Sequence, residues 1–395
     1  MTVRAEDSAV VSGVGQSAVG RGLDRSALAL ALEAIGEAVA DAGLSFADID
    51  GVATWPGRAD HMPGFSGVGV PEVQQALGLR LNWYCGGPEG PGQLAQVLNA
   101  IAAVHAGFAR HVVCFRVVTE ASVRRSGRRP SQTGAGGGRL TGTGAMFAPY
   151  YATSAAVWVA LLARRHMELF GTRREDLARI AINNRANAAR NETAVLREPV
   201  TLDDYLAARM ISDPLCLLDC DIPVDGCTAV VISAADTAAD LRRPPVRILA
   251  SGGALHDSPT WFGRADLDTM AAHDAAAAMW ARTDLTPADV DFAELYDGFS
   301  FLTLVWLEAL GFCERGEVGA FLDEGRTIAH DGRLPLDTQG GQLSGGRLHG
   351  LGFLHEAVLQ LQDRAGARQL RGRHEVAVVS AGGGPLAGCL LLGRD

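Results

Sequence analysis

The chain has 395 residues, 48% hydrophobic and 20% charged, with a formal net charge of −10. That is length enough for a large core, and the composition excludes a disordered chain; its 48 glycines follow no collagen-like period. The acidic balance argues against a general nucleic-acid or anionic-membrane binder, and the lack of lysine, all 35 basic residues being arginine, excludes Schiff-base chemistry, lysine-type aldolases included.

The first nine residues are polar, and no uncharged apolar stretch of about 18 residues occurs, so neither a cleaved signal nor a transmembrane helix is expected. Residues 9–14 read as a strand. Residues 24–42 read as a helix with Leu28, Leu32 and Ile35 on one face. Leu44-Ser45-Phe46-Ala47-Asp48-Ile49-Asp50 follows, and it returns in the second half as Leu285-Thr286-Pro287-Ala288-Asp289-Val290-Asp291. Each copy follows a helical stretch (residues 274–281 in the second copy) and precedes a predicted strand. A glycine-rich loop at 86–92 opens a helix carrying Leu94, Val97, Leu98 and Ile101, then a strand at 111–118. The same order recurs as a loop at 340–352, a helix carrying Leu354, Val358 and Leu361, and a strand at 375–380. Two duplicated α/β halves are therefore expected: residues 1–240 and residues 245–395. The boundary falls near 239–245, where Arg242, Arg243 and two prolines interrupt the pattern.

The first half carries an insertion at about 120–150. Arg124, Arg125, Arg128, Arg129 and Arg139 lie there among Gly, Ser and Thr. It reads as a surface loop. Arg124 and Arg128 are candidates for phosphate binding, because guanidinium binds phosphate bidentately; a solvated or subunit-contact loop is the alternative. The seven cysteines, Cys85, Cys114, Cys216, Cys220, Cys227, Cys313 and Cys389, are scattered, which fits a reduced, cytoplasmic protein. Cys216, Cys220 and Cys227 lack C-x-x-C spacing and a neighbouring histidine pair, so no metal is expected.

Several stretches resemble the thiolase superfamily. They are Ala293-Glu294-Leu295-Tyr296-Asp297-Gly298-Phe299-Ser300, Leu307 to Cys313, Gly340-Gly341-Gln342-Leu343-Ser344 through His349-Gly350, Ser380-Ala381-Gly382-Gly383-Gly384-Pro385, and an Asp225-Gly226-Cys227 turn. Within the superfamily the chain is most similar to the sterol-carrier-protein-x thiolase-like, or lipid-transfer-protein, branch. The resemblance implies a thiolase fold: two duplicated α/β halves in a layered α-β-α-β-α arrangement. A condensing thiolase needs a nucleophilic cysteine at a helix N-terminus, a histidine, and usually a second cysteine as acid and base. The matching positions here hold Glu89, Arg347 and Ser380, and Cys85 lies about four residues early.

The steroid side-chain aldolases of the branch also lack that nucleophile. The resemblance carries one of their functional tyrosines onto Tyr296; the second falls at Arg347. It implies a carbon–carbon lyase acting on a 3-hydroxyacyl-CoA with a bulky, possibly steroidal, tail. Coenzyme A enters as part of the substrate, with no other cofactor. Two alternatives stand beside it: an acyltransferase using Cys85, and a non-catalytic acyl-CoA-binding scaffold. Retro-aldol cleavage needs a base for the hydroxyl proton and donors for the enolate. Tyr296, His349 and Asp297 are the catalytic candidates. His349 can titrate near neutral pH, and Asp297 could orient a partner or cap the helix near Ser300. Arg347 could bind a carboxylate or phosphate, or make a surface salt bridge. Gly340, Gly341, Gly382, Gly383 and Gly384 would let backbone amides approach the thioester. His355 reads as a packing residue. A homodimer through the first-half sheet and a small partner combining an OB-fold and a zinc ribbon are further implied. Neither nucleic acid nor membrane insertion is expected.

Overall fold

The computed structural model describes residues 4–60, 62–127 and 142–395. The first half supplies β1 (Ala9–Gln16), β2 (Gly51–Thr54), β3 (Trp83–Gly86), β4 (His111–Thr119), a small hairpin of β5 (Met210–Ser212) and β6 (Leu215–Cys216), and β7 (Asp225–Ala234). The second supplies β8 (Val246–Gly252), β9 (Phe292–Glu294), β10 (Val376–Gly382) and β11 (Ala387–Gly393). Asp225-Gly226-Cys227 is thus the start of a strand, not a turn: all three are buried, and β7 pairs with β4 through them. The first helix is Ala27–Ala42; it starts late because the Ser26 hydroxyl caps it, accepting the Ala29 amide at 3.1 Å.

Among the described residues nine strands form one mixed sheet in the order β3-β2-β4-β7-β1-β8-β11-β10-β9. Outward from the β1–β8 seam, β1-β7-β4-β2 mirrors β8-β11-β10-β9. In both, the pairings run antiparallel, antiparallel, parallel. The seam itself is short, Val10 opposite Arg247 and Val11 opposite Val246.

The seven-residue repeat has a physical reason. In each copy an acid caps a single 3-10 turn: Asp48 accepts the Ser45 amide at 2.8 Å, and Asp289 accepts the Thr286 amide at 2.7 Å. The last aspartate then anchors the neighbouring parallel strand. Asp50 accepts the Arg110 and His111 amides where β4 begins. Asp291 accepts the Glu375 and Val376 amides where β10 begins.

The central strands β1, β4, β7 and β11 are mostly apolar because both faces are covered. Val112 and Cys114 of β4 face one core, with Val230 and Ile232 of β7. Val113, Phe115 and Val117 face a second core under the Ala27–Ala42 helix. A Cβ on Gly13 would collide with the Ala38 carbonyl, and one on Gly252 with that of Ala275, so each outer helix is alanine-rich and sits close. The 92–105 segment packs on strands of both halves, and so does the Gly350–Leu361 helix. They form the middle of five layers, with Ala27–Ala42 outside one half and Ala271–Trp280 outside the other. No helix among the described residues is long and apolar enough to cross a membrane.

Candidate active site

A cleft of about 610 Å³ opens where the two halves meet, within the size range of small-molecule sites. Trp55, Phe65, Trp261, Phe299 and Leu302 supply apolar walls; Arg21, Arg124 and Arg209 also line it.

Tyr296 follows β9 and reaches this cleft. Its backbone N–H donates to Ser380 Oγ at 3.0 Å, fixing the turn against β10. Its hydroxyl accepts from Gln93 Nε2 at 2.9 Å, across the junction of the halves. Gln93 stands at the start of the helix that follows the first glycine loop. Burial, with the Asp221 charge nearby, pushes the phenol up to about 12, against the pull of the Gln93 hydrogen bond and the Arg347 charge. Tyr296 is therefore a neutral donor at pH 7.

Arg347 also lines the cleft, but it is not a surface residue. Its Nε donates to Glu120 Oε2 at 2.8 Å and its Nη1 to Asp221 at 3.0 and 3.2 Å. Glu120 begins a short helix directly after β4; Asp221 lies in the strap leading to β7. Arg347 remains charged, since the two carboxylates outweigh its burial. It is committed to them, so it is not a free cation awaiting a phosphate.

His349 lines the cleft but does not titrate near neutrality. Burial and the charges of Arg116 and Arg347 hold it well below the usual histidine range. Its ring meets Phe65 edge-on at 5.2 Å, and neither ring nitrogen has a partner among the described residues. Arg116 lies behind, its guanidinium 4.4 Å from the Phe65 ring, and burial lowers it to about 10. A neutral imidazole with an arginine at its back is a hydrogen-bond group, not a source of charge for Tyr296.

Asp297 is displaced from the expected role. Its carboxylate accepts the Gln342 and Leu343 amides at 2.7 and 3.0 Å, and Asn184 Nδ2 at 2.7 Å. It neither lines the cleft nor caps the Ser300–Ala309 helix; it ties down the Gly341–Gly345 turn. Burial raises it to about 6. Gly340 and Gly341 belong to that turn too. They lie against Ala188, Asn184 and Asp297, with φ of +100° and +57°, and do not face the cleft. Of the C-terminal glycines, Gly382 and Gly384 line the cleft, whereas Gly383 packs on Trp306.

Cys85 sits on β3, its sulfur 3.5 Å from Asn99 Nδ2, and does not line the cleft; Glu89 is exposed. Arg124 lines the cleft from the Glu120–Arg125 helix, while Arg128 lies outside the described residues. His355 is on the Gly350–Leu361 helix, where burial lowers it to about 4. No group of described His, Cys, Asp and Glu residues could hold a metal ion. Sequence reading passed over Gln93, Glu120, Asp221 and Arg116. Only Arg116 left a signal, as the one charge inside the apolar run of β4.

Residues 253–391 match the family described as thiolase C-terminal domain-like. The 17-hydroxy-3-oxo-4-pregnene-20-carboxyl-CoA lyase of Mycobacterium tuberculosis is 35% identical over 97% of this chain and 98% of its own. The steroid side-chain-cleaving aldolase of Thermomonospora curvata is 34% identical over 98% of each. A solved Ltp2-ChsH2(DUF35) aldolase superposes with a TM-score of 0.86 at 33% identity, over 98% of both chains. With its duplicated sheet and these near-full-length relatives, the chain belongs to the thiolase superfamily, among the SCP2-thiolase-like steroid side-chain aldolases.

Proposed function

We propose that this enzyme is a carbon–carbon lyase, cleaving a 3-hydroxyacyl-CoA with a steroidal tail by a retro-aldol step, and that Tyr296 is a catalytic residue. The products are a ketone and a shorter acyl-CoA. The observation that carries this is the Tyr296 hydroxyl. It lies in an apolar cleft between the halves, held by Gln93 and kept protonated. A phenol so placed donates to the oxygen that gains charge as the thioester enolate forms. His349 is a second donor to that oxygen, and Gly382 and Gly384 let the thioester approach closely. The aromatic walls take the ring system. Arg21, Arg124 and Arg209 take the coenzyme A phosphates.

The relatives support this chemistry over acyl transfer, and Cys85 stands away from the cleft. We further expect a small DUF35-type partner, as in the Ltp2-ChsH2 aldolase, with an OB-fold and a zinc ribbon. Pairing of two copies would use the first-half sheet, whose outer strand β3 exposes Tyr84. The test is turnover of 17-hydroxy-3-oxo-4-pregnene-20-carboxyl-CoA by the enzyme with its partner, followed as ketone release. No release from this or any other 3-hydroxyacyl-CoA would leave acyl-CoA binding as the remaining activity.

A further inference from the structure

We propose that Asp221 is the base of the cleavage, taking the hydroxyl proton of the 3-hydroxyacyl group at its carboxylate. The assignment rests on the aldolase reading above and names the group that reading lacks. A tyrosine at position 347 could exchange a proton; an arginine cannot. The base must therefore be another group in the cleft.

Among the described residues lining the cleft, Asp221 is the only carboxylate. The other candidates fail on chemistry. The Cys220 thiol is pushed far up by burial, and Tyr296 is kept protonated. His349 is too weak a base, because burial and two arginines oppose its protonation. Asp221 is held in place by backbone. Its own N–H donates to Gly298 O at 3.3 Å, the Ile222 N–H to Gln342 O at 3.0 Å, and the Arg347 N–H to Ile222 O at 2.8 Å. These bonds pin the strap to the Tyr296 turn and to the second-half glycine loop. The Asp221 side chain is 11% exposed, and its charge acts on Tyr296. The groups facing it are Arg347, Glu120, Arg124, Cys220, Tyr296 and Asp297. Burial raises Asp221 to about 6; Glu120 adds to this and Arg347 opposes it. The carboxylate is thus mostly ionised at pH 7, yet more basic than an exposed aspartate.

The step balances without an external reagent. The substrate O–H breaks and its proton goes to Asp221. The alkoxide becomes a carbonyl as the bond between the α and β carbons breaks. That electron pair enters the thioester enolate. The α carbon then takes the Tyr296 proton, and the proton on Asp221 restores the phenol.

The experiment uses the enzyme with its partner protein and a 3-hydroxyacyl-CoA that the wild type cleaves. Asp221→Asn is expected to lower kcat by about 10²–10⁴-fold, to keep product acyl-CoA binding, and to erase the acidic limb near pH 6. Asp221→Glu should recover part of the rate and keep a limb. Glu120→Gln removes a negative neighbour of Asp221, so the limb should move to lower pH. Cleavage by Asp221→Asn within threefold of wild type, or a limb unchanged in it, overturns the assignment. If Asp221→Asn does not fold, Glu120→Gln decides, and a limb that stays in place overturns it. A wild type that cleaves nothing removes the aldolase reading and this one together; an active wild type with an unimpaired Asp221→Asn removes only this one.

Discussion

Replacing Tyr296 by phenylalanine removes one oxygen and leaves the ring against Phe353, whose centroid lies 6.2 Å away. One hydrogen bond is lost, from Gln93 Nε2 at 2.9 Å. The Gln93 Oε1 already has no partner among the described residues, so the variant leaves that amide wholly unsatisfied. The expected stability loss is about 1–2 kcal/mol, read from urea unfolding. The loss in kcat is far larger, about 10²–10⁴-fold, if the hydroxyl acts on the reacting centre. A phenol raised to about 12 is ionised only to about one part in 10⁵ at pH 7. Tyr296 therefore acts as donor, and the wild-type rate should show no tyrosine limb below about pH 9. The assay is steady-state ketone release with its pH profile, beside equilibrium binding of the product acyl-CoA. Tyr296→Phe cleaving at more than a third of the wild-type rate would refute the role. So would a rate that climbs steadily from pH 7 to pH 10, which would mark a phenolate base.

Arg347→Met leaves Glu120 and Asp221 buried without their cation and should cost about 3–5 kcal/mol in urea unfolding; a loss under 1 kcal/mol would mean the pair is already neutralised. His355, lowered to about 4, binds fewer protons folded than unfolded. Its stabilisation is full above about pH 6.5 and is lost as pH falls through 4. Relative to His355→Gln, wild type should thus lose up to about 3 kcal/mol between pH 7 and pH 4, measured as the difference in denaturation midpoints; parallel pH curves would contradict this. Cys85→Ala should keep turnover within a few-fold, with no acyl adduct by mass spectrometry; a trapped adduct on Cys85 would restore the acyltransferase. Arg124→Ala should raise KM more than it lowers kcat, since a phosphate contact stabilises ground and transition states alike; a fall in kcat alone would place Arg124 nearer the chemistry.

Local pattern determined much of this protein. The paired Leu-to-Asp segments announced the duplication, because each position serves its own turn or the start of the adjacent strand, as Asp50 and Asp291 do for β4 and β10. The apolar run at 111–118 announced a strand, and the structure added that both of its faces are covered. Tyr296 could be singled out because its stretch resembles a known one, although Ser380 and Gln93, both remote in sequence, hold it in place.

What the tertiary structure decided is which charges meet. Asp297 looked catalytic from its place beside Tyr296, yet successive residues leave a turn in different directions, and Asp297 points to Asn184 and the Gln342 and Leu343 amides. His349 looked titratable until Phe65 and Arg116 were found against it. Arg347 read as a ligand-binding cation or a surface salt bridge; the fold instead brings it Glu120 and Asp221 from far away in sequence, in a largely buried pairing. Burial and Coulomb interaction depend on distance in space, so the protonation states were set by burial first and then by partners remote in sequence, Asn184, Arg116, Glu120 and Asp221 of the opposite half among them.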